Sequence, residues 1–129
     1  MRKNTFMKVI RKKVLYPLVA LLLLALLSCA KNVIHMRDLA GLRMGMTPDE
    51  PPAVMGVLPK KVFQWSMTTT EDSIIVQSYV LASGEYWSTY FLAYRNDGLI
   101  FWGYPQEFAR SSDPVIREIG KEALRRHVR

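Results

Sequence analysis

Few side chains in this 129-residue chain could make or break bonds, and they are scattered. Cys29 is the only cysteine, so no internal disulfide can form, and a single thiolate is a poor start for a metal centre. The two histidines, His35 and His127, lie far apart in the chain. Acid–base catalysis needs a positioned pair with shifted pKa values. The acids fall mostly at turns and expected helix starts, where capping accounts for them. No serine has a nucleophile-elbow context, and no glycine-rich phosphate loop is present. We therefore expect no enzyme and assign no catalytic residue. His35, Met36, Met44 and Met46 form one loose set of soft or borderline ligands. In an exported protein such a set can hold Cu(I). Met44 and Met46 serve more simply as adaptable core fillers, and Met46 can staple against Pro51 across a helix start. No metal site and no cofactor is assigned.

The flanks of Cys29 give the thiol a different chemistry. Net charge is +7, from 18 basic and 11 acidic residues, which would ordinarily raise nucleic acid as a partner. Six of the basic residues lie within the first 13 positions, and every acid is at Asp38 or later. From Cys29 onward 12 basic residues face 11 acidic ones. A near-neutral body lacks the basic surface that displaces counterions from a phosphate backbone, so no nucleic-acid role is expected. After Lys13 an uncharged apolar run, Val14 to Leu27, leads to Ser28 and Cys29. The run is short for a bilayer span, which takes roughly 20 residues, and fits the apolar part of a secretory leader. Leu26, Leu27, Ser28 and Cys29 resemble the lipobox of bacterial lipoproteins. The resemblance implies acylation of the Cys29 thiol, cleavage before it, and membrane anchoring through stacked acyl chains. Ala30 stands where an aspartate would signal inner-membrane retention in that family, so the resemblance points to the periplasmic face of the outer membrane. Residues 1–28 are then leader, 29–41 a lipidated tether and 42–129 the working domain.

The elements of that domain can be read from its periodicity. Thr47, Pro48, Asp49 and Glu50 have the order of a helix start, with Glu50 completing a capping box to Thr47. Pro51 and Pro52 conflict with it, since neither has an N–H to bond back. The expected helix is short or distorted, ends near Met55 and stops at Gly56. Lys61 to Thr69, Ser73 to Ala82, Glu85 to Arg95 and Leu99 to Tyr104 have the alternation or β-branched content of strands. Asn96-Asp97-Gly98 is a strong hairpin turn between the last two. Asp113 and Pro114 then open a helix with an apolar stripe of Val115, Ile116, Ile119, Ala123 and Leu124. Arg125, Arg126 and Arg129 suit the negative end of its dipole. The expected class is α+β: a short N-terminal helix, an antiparallel meander of three to four strands and a C-terminal helix. The aromatics Trp65, Tyr86, Trp87 and Tyr90 form the candidate binding face.

The segment from Gly45 to Glu50, GMTPDE, resembles the motif of the SmpA/OmlA (BamE-like) family of small outer-membrane lipoproteins. The matching positions are Gly45, Met46, Thr47, Glu50 and the helix-closing Gly56, followed by Trp65 and Asn96-Asp97-Gly98-Leu99. Pro51 and Pro52 depart from that pattern, and the helix from Asp113 extends beyond it. The resemblance implies a non-catalytic accessory of outer-membrane β-barrel assembly that docks an exposed sheet face or loops on a protein partner. The alternative expectation is an envelope inhibitor, or a ligand- or peptidoglycan-binding module of similar fold.

Overall fold

The computed structural model describes Pro17, Val19, Ala20, Leu21 and residues 32–129. The chain divides into two units, Met1–Ala30 and Lys31–Arg129. In the first, the described residues are helical and exposed. Cys29 lies outside the described residues, as do most of the leader and the start of the tether.

The second unit is α+β. Its elements are strand β1 (Ile34–His35), a 3₁₀ helix (Met36–Gly41), α1 (Glu50–Met55), β2 (Lys61–Ser66), β3 (Ser73–Ser83), β4 (Tyr86–Arg95), β5 (Gly98–Gly103), α2 (Pro105–Ala109) and α3 (Pro114–His127). Strands β2 to β5 form an antiparallel meander, as their tight turns predict. Asn96 and Asp97, both at positive φ (49° and 65°), make the two-residue loop between β4 and β5. Two left-handed residues in succession give the loop the twist its strands need.

The segment read as a tether is folded from Ile34 onward. Ile34 is fully buried and pairs in parallel with Leu81, while His35 pairs with Ala82. Strand β3 therefore carries two short neighbours end to end on one edge: β2 along Ser73 to Ser78, and β1 at Leu81 and Ala82. A two-residue strand has no period to read, and its pairing is set by β3 some 47 residues later.

Both faces of the central strands are covered. Side chains alternate across a sheet, so Tyr79, Leu81, Tyr90, Leu92 and Tyr94 share one face. They pack with Ile34, Leu42, Met55 and Val57 of the N-terminal layer. Ile74, Val76, Phe91 and Ala93 share the other face and pack with Phe108 of α2 and Ile119 and Ala123 of α3. The open sheet face implied by the family resemblance is thus occupied by the chain's own C-terminal helices. Within α3 the buried stripe is Ile119, Gly120 and Ala123, and Leu124 turns outward at 43% exposure. Asp113 caps α3 by accepting from the Val115 N–H at 2.9 Å.

The doubled proline does not distort α1. The helix begins at Glu50, so Pro51 and Pro52 occupy its first turn, where backbone N–H groups have no helical acceptor anyway. The cap position is Asp49, two residues after the expected Thr47. The back half of the expected box survives, with the Thr47 N–H donating to Glu50 at 3.2 Å. Gly56 closes the helix at φ 69°, and its N–H donates to the Pro52 carbonyl at 2.9 Å.

Candidate binding site

Of the five residues on which the resemblance rests, Gly45 and Met46 bond to the sheet, Thr47 and Glu50 bond to each other, and Gly56 closes α1, each a folding role. Gly45, at φ 85°, donates its N–H to the Leu99 carbonyl, and Leu99 donates back to Met46, both at 2.8 Å. The GMT segment thus zips to the start of β5, and Met46 packs against the core. Pro48 follows, and its carbonyl accepts from Gln77 Nε2 at 2.6 Å. Gln77 is itself buried in the sheet. Its amide oxygen accepts the hydroxyls of Tyr94 at 2.6 Å and Tyr79 at 3.2 Å. Burial pushes both phenols well above their ordinary range. This polar knot pins the motif loop to the sheet. Its Gln77, Tyr79 and Tyr94 members are buried, and only the Pro48 end is partly open to solvent.

The candidate binding face divides. Tyr90 is 6% exposed and sits in the core with its ring edge-on to Tyr104, centroids 5.1 Å apart. Burial first, then Glu107 and Tyr104, push its hydroxyl up to about 12. It therefore cannot present a docking surface. Trp65 is half-buried against α3, with the Arg126 guanidinium 5.0 Å above its ring. Arg126 also donates to Glu122 at 2.8 Å, and Arg125 donates to the same carboxylate. Hydrogen bonds from Arg125 lead the causes that hold Glu122 down at about 2. Trp65 and the helix-end arginines thus work within one packed cluster, beyond their expected role at the dipole.

Tyr86 and Trp87 are different. They stand at the outer end of the β3–β4 hairpin, 79% and 71% exposed. Tyr86 follows the Gly84-Glu85 turn and pairs with Ser83, and Trp87 pairs with Ala82. The alternation that buries Tyr90 and Phe91 on opposite faces places Tyr86 and Trp87 on those same two faces, past the reach of the covering layers. Beside them a cleft of about 490 Å³ opens between β4, the end of β5 and the two C-terminal helices. Ser88, Thr89, Tyr104, Pro105, Ala109 and Leu124 line it. An exposed tryptophan and tyrosine next to an apolar-floored cleft is a surface suited to binding.

The loose soft-ligand set separates by environment. Met46 packs against the core while Met36 and Met44 are 58% and 65% exposed. His35 is committed to β1, where its backbone N–H donates to Asp38 at 2.8 Å. The other histidine, His127, lies edge-on to Phe63 and Phe91, with a buried Nδ1 that lacks a hydrogen-bond partner. Desolvation, then Lys61 and Lys60, lower its pKa. Three carboxylates serve structure directly: Asp72 pairs with Arg95 at 2.6 Å, Glu107 accepts from the Tyr104 N–H, and Asp113 caps α3. Among the described residues no cluster of three His, Cys, Asp or Glu could hold a metal ion, and no helix is long and apolar enough to cross a membrane. No protein-family model, curated protein or solved structure matches the chain.

Proposed function

We propose that the chain is a lipid-anchored, non-catalytic lipoprotein that binds another component of the cell envelope from the periplasmic face of the outer membrane. The observation that carries the binding half is the exposed pair Tyr86 and Trp87 beside a cleft, in a domain whose other large aromatics are packed. Large aromatics left in water at the tip of a β-hairpin are the residue types that dominate binding hot spots. The use of carboxylates in caps and ion pairs supports a binding role over a catalytic one. The anchoring half rests on the leader and Cys29.

Within that class, the pairing of Gly45 and Met46 with Leu99 supports a place among the small lipoproteins that accompany β-barrel assembly, since both family motifs lie in that contact. Metabolic labelling with an alkynyl palmitate tests the anchor: the wild-type chain takes the label and Cys29→Ser does not. Labelling of the Cys29→Ser chain overturns the anchor. Purification of the lipidated protein tests the narrower role, with barrel-assembly components expected to come with it. Clean recovery of none of them removes that role and leaves the binding reading to be tested at Trp87.

A further inference from the structure

We infer that the outer half of β4 is an open strand edge that receives an extended segment of a partner polypeptide, added as a new strand beside Trp87 and Thr89. The inference deepens the binding reading above by naming the kind of partner and the mode of contact.

Strand β4 runs from Tyr86 to Arg95, but β5 pairs with it only from Phe91 to Arg95. The chain leaves the sheet at Gly103 and turns into α2 at Pro105. Among the described residues, no backbone hydrogen bond from another element reaches Tyr86 to Tyr90 on that side. The other edge of the β3–β4 pair handles the same length differently, with β2 and β1 laid end to end. One row of the sheet is therefore complete and the opposite row is half filled.

The antiparallel ladder fixes which groups face the open side. In a hairpin with a two-residue loop the flanking residues, here Ser83 and Tyr86, bond each other, and bonded pairs then recur every second residue. The same phase is seen elsewhere in the ladder. Asn96 donates to the Ser73 carbonyl across the pair, whereas the Ser78 carbonyl faces outward and accepts from Lys60. Tyr86, Ser88 and Tyr90 thus bond inward to β3. The N–H and C=O groups of Trp87 and Thr89 face the open edge. These are directional main-chain groups, which an incoming strand satisfies and a compact apolar ligand does not.

Side chains of the added strand have a floor to meet. Those lying on the Trp87–Thr89 face project over the cleft walled by Pro105, Ala109 and Leu124, and the exposed Trp87 indole flanks them. The recognised chemistry is an extended peptide with apolar residues at alternate positions and no proline at the bonded ones.

The test uses the full chain in detergent micelles and amide hydrogen exchange. The probes are capped heptapeptides of the pattern Lys-Val-Thr-Val-Thr-Val-Lys, with Val, Leu or Phe at the apolar positions. In the free protein the amides of Trp87 and Thr89 exchange fast, while those of Phe91 and Ala93 are protected by β5. Binding of at least one probe slows both open-edge amides by about tenfold or more, since the new main-chain bonds must open before either amide exchanges. N-methylation of one alternate set of peptide residues abolishes this, and methylation of the other set spares it. Leu124→Glu, at an exposed position, weakens binding at least roughly tenfold without unfolding the domain. The inference is overturned if no probe slows the two amides, or if both methylated sets bind alike. Palmitate labelling at Cys29 reads out separately, so failure of the anchor and failure of the strand site are distinguishable.

Discussion

Replacing Gln77 by leucine keeps the volume of the side chain and removes the centre of the polar knot. Gln77 is 4% exposed, Tyr79 1% and Tyr94 fully buried. The two phenol hydroxyls, now bonded to the Gln77 amide oxygen at 3.2 and 2.6 Å, are left without an acceptor in the core. A buried polar group that loses its partner costs about 1–3 kcal/mol, so the pair costs about 2–6 kcal/mol. The Pro48 carbonyl also loses its donor, but Pro48 is only half-buried and water can replace it. Burial of the leucine's extra apolar surface returns about 1 kcal/mol. The net expectation is a loss of about 1–5 kcal/mol, set against the roughly 5–15 kcal/mol that holds a domain together. Urea denaturation of Gln77→Leu measures it. Adding Tyr94→Phe and Tyr79→Phe removes the orphaned hydroxyls, and the triple variant recovers most of the loss, since an all-apolar replacement of matched shape is close to neutral. A Gln77→Leu variant within about 0.5 kcal/mol of wild type, the range of ordinary surface changes, refutes the reasoning. So does a triple variant less stable than the single one.

A Cβ on Gly120 would stand 2.3 Å from the Phe108 Cβ, an atom no rotamer change can move. Gly120→Ala is therefore expected to destabilise by about 1–3 kcal/mol in thermal unfolding, despite a helix-propensity gain of roughly 1 kcal/mol. Stability falls as pH drops below the ordinary histidine value, because the unfolded chain protonates His127 before the folded one does. His127→Phe flattens that limb of the urea midpoint against pH. A second loss sets in as pH falls from the ordinary carboxylate range toward about 2, where folded Asp72 and Glu122 take up protons. Hydrogen bonds from Thr70, Asn96 and Arg95 depress Asp72, and Asp72→Asn removes its part of that acid limb.

The four meander strands were legible because local signals agree there: alternation, β-branched content and an Asn-Asp-Gly turn all give the same answer. Helix α3 was legible from its cap, its proline and its apolar stripe. The remainder depends on distant partners. Ile34 and His35 form a strand only because β3 offers them an edge, and Pro105 to Ala109 is too short to show a period. Glu50 opens α1, so the two prolines that looked disruptive fall where they do no harm. The binding surface was half legible. Tyr86, Trp87 and Tyr90 lie on one strand of similar composition, and what separates them is how far along β4 the covering layers extend. No local pattern carries that information. Leu124 fits the apolar period of α3 yet lies outside the packed stripe, for the same reason. Gln77 is the lone amide within Ser73 to Ala82, and that isolation among mostly apolar neighbours is the only local signal of a buried polar centre.

Site-specific photocrosslinking in intact cells bears most directly on the binding claim. A photoreactive residue at Trp87 is compared with one at Glu118, which is exposed on the solvent side of α3. The expected result is one discrete protein adduct from position 87, absent from position 118 and much reduced when Cys29→Ser releases the chain from the membrane. No adduct at position 87, or the same adducts from both positions, would contradict a binding role for the hairpin tip.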